Sequence, residues 1–114
     1  MHGSDFAVNI RYSLSGIQVA LTRRCVKEDA TYEQFKDLPT ALPEECIGLK
    51  EALKARTILG AYQAHMENIT GSIEVGKSAE FAVLDGDIET TPAEQIQDIR
   101  ILETIFKGKS VFKA

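Results

Sequence analysis

Gly48-Leu49-Lys50-Glu51-Ala52-Leu53-Lys54-Ala55-Arg56-Thr57-Ile58-Leu59-Gly60-Ala61-Tyr62-Gln63-Ala64-His65-Met66 is followed, after a short polar link, by Gly71-Ser72-Ile73-Glu74-Val75-Gly76-Lys77-Ser78-Ala79-Glu80-Phe81-Ala82-Val83-Leu84. In the first stretch Gly48, Ala52, Ala55, Leu59, Tyr62 and Met66 step by 4, 3, 4, 3 and 4, the spacing of one helix face. Leu49, Leu53 and Ile58 widen the stripe. Gly48 with Glu51 three residues on is a weak capping box, since glycine is accepted at an N-cap but has no side-chain oxygen. In the second stretch the period falls to two. Residues 72–75 alternate and stop at Gly76-Lys77, and residues 81–84 form an apolar run ended by Asp85-Gly86-Asp87. The change of period predicts an α+β fold: a long helix over 48–66 packed by its Ala52/Ala55/Leu59/Tyr62/Met66 face, beside an antiparallel sheet. Gly60 costs such a helix about 1 kcal/mol relative to alanine, and close packing against another backbone is the expected compensation.

Further along, Thr91-Pro92-Ala93-Glu94 supplies a Thr N-cap, a proline at N1 and an acid in the first turn, predicting a short helix to about Ile96. Residues 100–106 and 110–113 are β-rich around Lys107-Gly108-Lys109, which reads as a hairpin. Strands near 73–75, 81–84, 101–106 and 110–112 are thus expected in one sheet. Upstream, residues 14–25 read as a short helix through Leu14, Ile17, Val19, Ala20 and Leu21. Between them, residues 27–46 hold six acids (Glu28, Asp29, Glu33, Asp37, Glu44, Glu45) and two bases (Lys27, Lys36), with Pro39 and Pro43. That acidic segment reads as a surface excursion anchored by Tyr32 and Phe35.

The chain has 114 residues, 13 Lys+Arg and 17 Asp+Glu, so its net charge of −4 equals the surplus of the 27–46 segment, 2 − 6 = −4. A length of 114 residues is well short of the roughly 250 residues of a complete (β/α)8 barrel. The mildly acidic balance argues against nucleic acid as a partner. No apolar run approaches the roughly 20 residues of a membrane span, so no membrane role is expected. Two cysteines, Cys25 and Cys46, without a CxxC motif, suggest reduced thiols and a cytoplasmic setting.

Few residues offer chemistry by themselves. His2 and His65 are too few for a multi-histidine metal site. His65 at the end of the long helix is better placed to meet the helix dipole. Cys25, Cys46 and His65 match no zinc spacing. Counting twelve positions from Asp85 reaches Ile96 where a calcium loop needs glutamate, so Asp85-Gly86-Asp87 is a turn with solvated acids. Arg23-Arg24 lacks a glycine-rich phosphate cradle and reads as a surface or salt-bridging pair. Asp5, after His2-Gly3-Ser4 and before apolar Phe6, Ala7 and Val8, is on these grounds a turn or cap aspartate.

Four linked motifs change the reading of Asp5. His2-Gly3-Ser4-Asp5-Phe6-Ala7-Val8 with 16–24 (GIQVALTRR), 51–62 (EALKARTILGAY), 71–85 (GSIEVGKSAEFAVLD) and 104–111 (TIFKGKSV) together resemble the C-terminal part of the metal-dependent amidohydrolase superfamily. The nearest branch looks like that of N-substituted formamide deformylases and exoenzyme-regulatory-type amidohydrolases. Glu80 stands where that family usually has aspartate, at a position that is not catalytic. The resemblance implies that residues 1–66 are the end of the (β/α)8 barrel, with 27–46 as an acidic loop, and that 67–114 are the C-terminal portion of a composite β-sandwich. It implies metal-assisted hydrolysis of a C–N bond other than a peptide bond in a small amide-type substrate, with a divalent metal, expected to be zinc. Asp5 falls on the aspartate that in this family ligates the metal and takes a proton from the attacking water. The family's other metal ligands, including its HxH pair, would lie upstream of Met1. The chain alone is therefore expected to hold no cofactor and to be catalytically incomplete, because one carboxylate cannot hold a catalytic metal. A non-enzymatic structural or interaction module derived from an amidohydrolase is the alternative. Apolar positions whose partners would be missing, such as Val8, Ile17 and Val19, predict self-association of the fragment.

Overall fold

The computed structural model describes residues 12–114. Helix α1 (Ser13–Thr22) is followed by a one-turn helix α2 (Tyr32–Phe35), a 3₁₀ turn (Pro43–Glu45), α3 (Leu49–Arg56) and α4 (Ile58–Gln63). Strand β1 (Phe81–Leu84), a second 3₁₀ turn (Ala93–Asp98), β2 (Ile101–Phe106) and β3 (Lys109–Lys113) complete the chain. The result is a small α+β arrangement of helices with a three-stranded antiparallel sheet, ordered β1-β2-β3.

The core lies between α1, α3 and the second 3₁₀ turn. Leu14 and Ile17, three apart on α1, meet Ala52 of α3 and Ile96 and Ile99 at the far end of the sequence. Leu21, Leu49, Leu53, Leu84, Ile88 and Ile101 pack around that cluster half-buried. Polar side chains enter the same helix face and are satisfied there. Ser15 Oγ donates to Glu28 Oε2 at 3.0 Å, and Gln18 Oε1 accepts from the Gln97 N–H at 2.9 Å. Thr22 Oγ1 donates back to the Gln18 carbonyl at 2.9 Å. A buried amide or hydroxyl left unpaired would cost about 1–3 kcal/mol, and of these bonds the one between Gln18 and Gln97 joins α1 to the second 3₁₀ turn.

Residues 48–66 do not form one helix. The chain breaks at Thr57 (φ −119°, ψ −98°), whose hydroxyl donates to the Leu53 carbonyl at 2.8 Å and whose N–H reaches Lys54 O at 3.2 Å. Gly71 packs against this break: a Cβ placed there would lie 2.7 Å from Ala61 Cβ, 3.0 Å from Ile58 Cα and 3.3 Å from Thr57 O. The close approach expected of Gly60 therefore belongs to Gly71. A Cβ at Gly60 would meet only Ala55 O, at 3.7 Å. The break also re-aims the second half of the helix. Ala52 and Ala61 are buried, whereas Leu59, Tyr62 and Met66 of the expected core face are 47%, 64% and 43% exposed. Strict 3.6-residue periodicity across Thr57 projects the wrong side chains inward because the axis does not continue through it.

The sheet corrects a second expectation. Residues 72–75 alternate in polarity but form no strand. Instead Lys77 Nζ donates to Ser72 Oγ (2.6 Å) and Glu74 Oε1 (3.2 Å), Ser72 Oγ donates to Glu74 Oε1 (2.6 Å), and Lys77 N–H bonds Glu74 O (3.2 Å). This closed polar loop, turning at Gly76 (φ 95°), leaves Ile73 and Val75 in water. The other three strands pair as the alternation requires, with Phe81 opposite Ile105, Ala82 opposite Thr104 and Thr104 opposite Phe112. Lys107 (φ 49°) and Gly108 (φ 74°) make the two-residue β2–β3 turn. Two central residues at positive φ are the signature of a type I′ turn, whose twist suits a hairpin. The Gly108 N–H docks on Ala79 O at 2.9 Å. The helix expected from Thr91 forms as the 3₁₀ turn Ala93–Asp98, one residue beyond Pro92.

Candidate functional site

Asp5, the residue assigned a catalytic and metal-binding role by resemblance, lies outside the described residues, as does His2. The element that leads out of that segment is α1, which begins at Ser13. Its inward face is fixed by the Leu14/Ile17 contacts and by the Gln18–Gln97 bond. Two interleaved stripes set that face: apolar 14, 17 and 21, and polar 15, 18 and 22. The polar stripe has helical spacing and is legible in the sequence, although a search for apolar periodicity alone passes over it.

Arg23 and Arg24 follow α1, and among the described residues neither pairs with a carboxylate. Arg23 adopts a left-handed conformation (φ 48°, ψ 38°), with its N–H on Val19 O at 2.7 Å. Its Nε donates to Ala41 O at 2.8 Å, and Arg24 Nη2 donates to Lys36 O at 3.2 Å. Both guanidiniums thus hold backbone carbonyls of the acidic segment. Among the acids there, Glu28 accepts from Ser15 of α1, Asp29 Oδ1 accepts from the Thr31 hydroxyl (2.6 Å) and N–H (2.9 Å), and Glu33 pairs with Lys36 at 2.7 Å. The Thr31 bonds hold the Asp29 carboxyl below its ordinary range, the hydroxyl first.

Cys25 and Cys46 are free, half-buried thiols. His65 is the left-handed residue (φ 57°) just past α4, with its N–H on Tyr62 O at 3.0 Å and Met66 N–H on Ala61 O at 2.8 Å. That pair of bonds is a Schellman motif, so His65 closes the helix through its backbone. Cys25, Cys46 and His65 do not converge. Among the described residues no three His, Cys, Asp or Glu side chains are placed to hold a metal ion. The described part of the chain therefore does not by itself fit a catalytic metal.

Asp85 is more than a solvated turn acid. Its Oδ1 accepts the Arg100 N–H at 2.8 Å, its Oδ2 accepts Arg100 Nε at 2.7 Å, and its own N–H donates to Arg100 O at 3.0 Å. The backbone bond from Arg100, then the guanidinium bond, hold the Asp85 carboxyl below its usual value of 3.8. A carboxyl with a lowered folded pKa contributes stability above its unfolded pKa, and that contribution is lost as pH falls through the folded value. Asp85→Asn is accordingly expected to flatten the acid-side decline of the thermal midpoint below about pH 4, measured by circular dichroism from pH 6 to pH 2. A decline as steep as the wild type's would remove Asp85 from the account.

Both carboxylate oxygens of Glu80 are hydrogen-bonded: Oε2 accepts Thr70 Oγ1 at 2.7 Å and Oε1 accepts Ser78 Oγ at 3.0 Å. With Ser78 N–H on Ile69 O at 2.8 Å, it ties the entry of β1 to the end of the helical region. No helix of the described residues is long and apolar enough to cross a membrane.

Comparison with known proteins adds three findings. The model of the amidohydrolase family matches residues 1–112. YtcJ of Bacillus subtilis (strain 168), a protein named as an amidohydrolase, is 31% identical over 111 residues, covering 97% of this chain and 20% of YtcJ. Imidazolonepropionase of Syntrophobacter fumaroxidans (strain DSM 10017 / MPOB) is 50% identical over 40 residues, which are 35% of this chain and 9% of that enzyme. The chain thus spans about a fifth or less of the length of these relatives. No solved structure matches.

Proposed function

The chain belongs to the amidohydrolase family, and from that premise we propose that it is the C-terminal part of a metal-dependent hydrolase acting on C–N bonds other than peptide bonds. The observation that carries this reading is the family match across residues 1–112, supported by the YtcJ alignment over nearly the whole chain. In this proposal residues 1–66 close a (β/α)8 barrel and residues 67–114 belong to a composite β-sandwich, in a cytoplasmic enzyme. The branch it resembles points to small N-substituted formamides or related amides as substrates.

Asp5 is the one residue of this chain given a part in the chemistry, as a metal ligand and as the carboxylate that accepts a proton during hydrolysis. The metal, when bound in such an enzyme, lowers the pKa of water toward neutrality. The described residues supply no ligand set to accompany Asp5. Their contribution is to hold the chain that follows Asp5: α1 is clamped to the second 3₁₀ turn by Ile17, Gln18 and Ile96.

The isolated 114-residue chain is accordingly expected to retain no stoichiometric zinc after dialysis and to hydrolyse no member of a panel of N-substituted formamides. One equivalent of tightly held zinc with turnover abolished by Asp5→Asn would overturn the incomplete-site reading. An HxH motif encoded in frame upstream of Met1 supports the hydrolase assignment, and its absence favours the non-enzymatic interaction module.

A further inference from the structure

We propose that residues 29–46 form a strap latched onto the C-terminal end of α1 by Arg23 and Arg24, and that the strap opens as a unit while the core stays folded. The segment contributes no buried side chain, although Val26, three residues before it, is fully buried. Its ends are fixed. On one side Lys27 Nζ pairs with Asp98 at 2.6 Å, Lys27 N–H bonds Gln97 Oε1 at 2.8 Å, and Glu28 accepts Ser15 Oγ. On the other side Ile47 N–H bonds Ala20 O at 3.1 Å.

Between these anchors the strap is organised by its own short-range bonds. Tyr32 N–H reaches Asp29 O, Lys36 N–H reaches Tyr32 O, and Glu45 N–H reaches Leu42 O, all within 3 Å. Three bonds tie its middle to the end of α1: Arg23 Nε to Ala41 O, Ala41 N–H to Arg23 O at 3.3 Å, and Arg24 Nη2 to Lys36 O. Leu42, next to the latched Ala41, is held at φ 47°, a left-handed conformation that a leucine leaves at a gain. Exposed hydrogen bonds, absent core contacts and local backbone strain are the properties of a low-stability opening unit. Because the guanidiniums hold carbonyls rather than the strap's acids, the latch does not depend on the strap's charge.

Hydrogen exchange read by mass spectrometry under native conditions tests this on the whole chain. Charged hydrogen bonds at the exposed end of their range favour the closed state by roughly tenfold each. The Arg23→Ala/Arg24→Ala double variant, which loses two such bonds, should therefore exchange amides within 31–46 about 100-fold faster and at least 10-fold faster, with α1 and β2 unchanged. Asp37→Asn/Glu44→Gln, which alters the strap's charge alone, should leave the rates within twofold. Equal rates in the arginine variant, or acceleration of the core amides in step with the strap, would overturn the proposal. Should the arginine variant not fold, the wild type decides: the 31–46 amides must exchange as one group ahead of those of α1 and β2, and joint exchange refutes the strap.

Discussion

Replacing Ile96 with alanine should lower the unfolding free energy by about 2–5 kcal/mol, the range for truncating a buried aliphatic side chain. Ile96 is 1% exposed and belongs to the cluster of Leu14, Ile17, Ala52 and Ile99. Two costs add: the lost transfer of its methyl and methylene groups from water, and the cavity left among neighbours held by their own contacts. Relaxation is restricted at this site. The turn that carries Ile96 is pinned on both sides by Gln97, which donates its N–H to Gln18 and accepts from the Lys27 N–H. Urea unfolding followed by circular dichroism measures the loss, with Leu59→Ala as the reference. Leu59 is 47% exposed, so its truncation should cost only about 1 kcal/mol, about half of its apolar surface already meeting water. Similar losses at the two positions would mean that the core is not where the structure puts it.

Gly71→Ala should be nearly as damaging, by about 2–5 kcal/mol. The backbone there has φ 93°, which a Cβ-bearing residue adopts at a cost of about 1–2 kcal/mol. The new methyl would also sit 2.7 Å from Ala61 Cβ and 3.0 Å from Ile58 Cα. Neither neighbour is the end of a flexible chain, so the α3–α4 break must shift, adding an overpacking cost of about 1–3 kcal/mol. Gly76→Ala separates the two contributions. Gly76 has almost the same φ, 95°, but nothing lies within 4 Å of its added Cβ. It should lose only the backbone part. Equal losses for the two variants would show that the close approach at Gly71 carries no energy.

Much of the local structure is legible in the sequence. The α1 stripe through Leu14 and Ile17, the Phe81–Leu84 run, the long 101–106 strand and the Lys107-Gly108 turn all follow from period and turn chemistry. Each of those signals is local, and each element found a partner that agreed with it. Ser72-Ile73-Glu74-Val75 has the same alternation as a strand and did not become one. Its polar residues found Lys77, five and three positions away, and among the described residues no neighbouring strand pairs with it. Arg23-Arg24 reads in the sequence as a surface or salt-bridging pair, but its partners are carbonyls of residues 36 and 41, which no side-chain pattern announces.

The sequence by itself determined the α+β class and the amidohydrolase resemblance carried by four motifs, and the proposed role of Asp5 rests on that resemblance. Those depend on residue type and order, which are complete in one dimension. The tertiary structure decided which residues are core. Thr57 bends the helix away from its own period, so Ala61 turns inward and Leu59, Tyr62 and Met66 turn out. It also decided that Gly71, not Gly60, is the glycine a neighbour requires, because close approach is a property of two segments and a sequence window contains only one. The joining of Gln18 to Gln97 across 79 positions has the same origin: a buried amide must find a partner somewhere, and only the folded chain determines where.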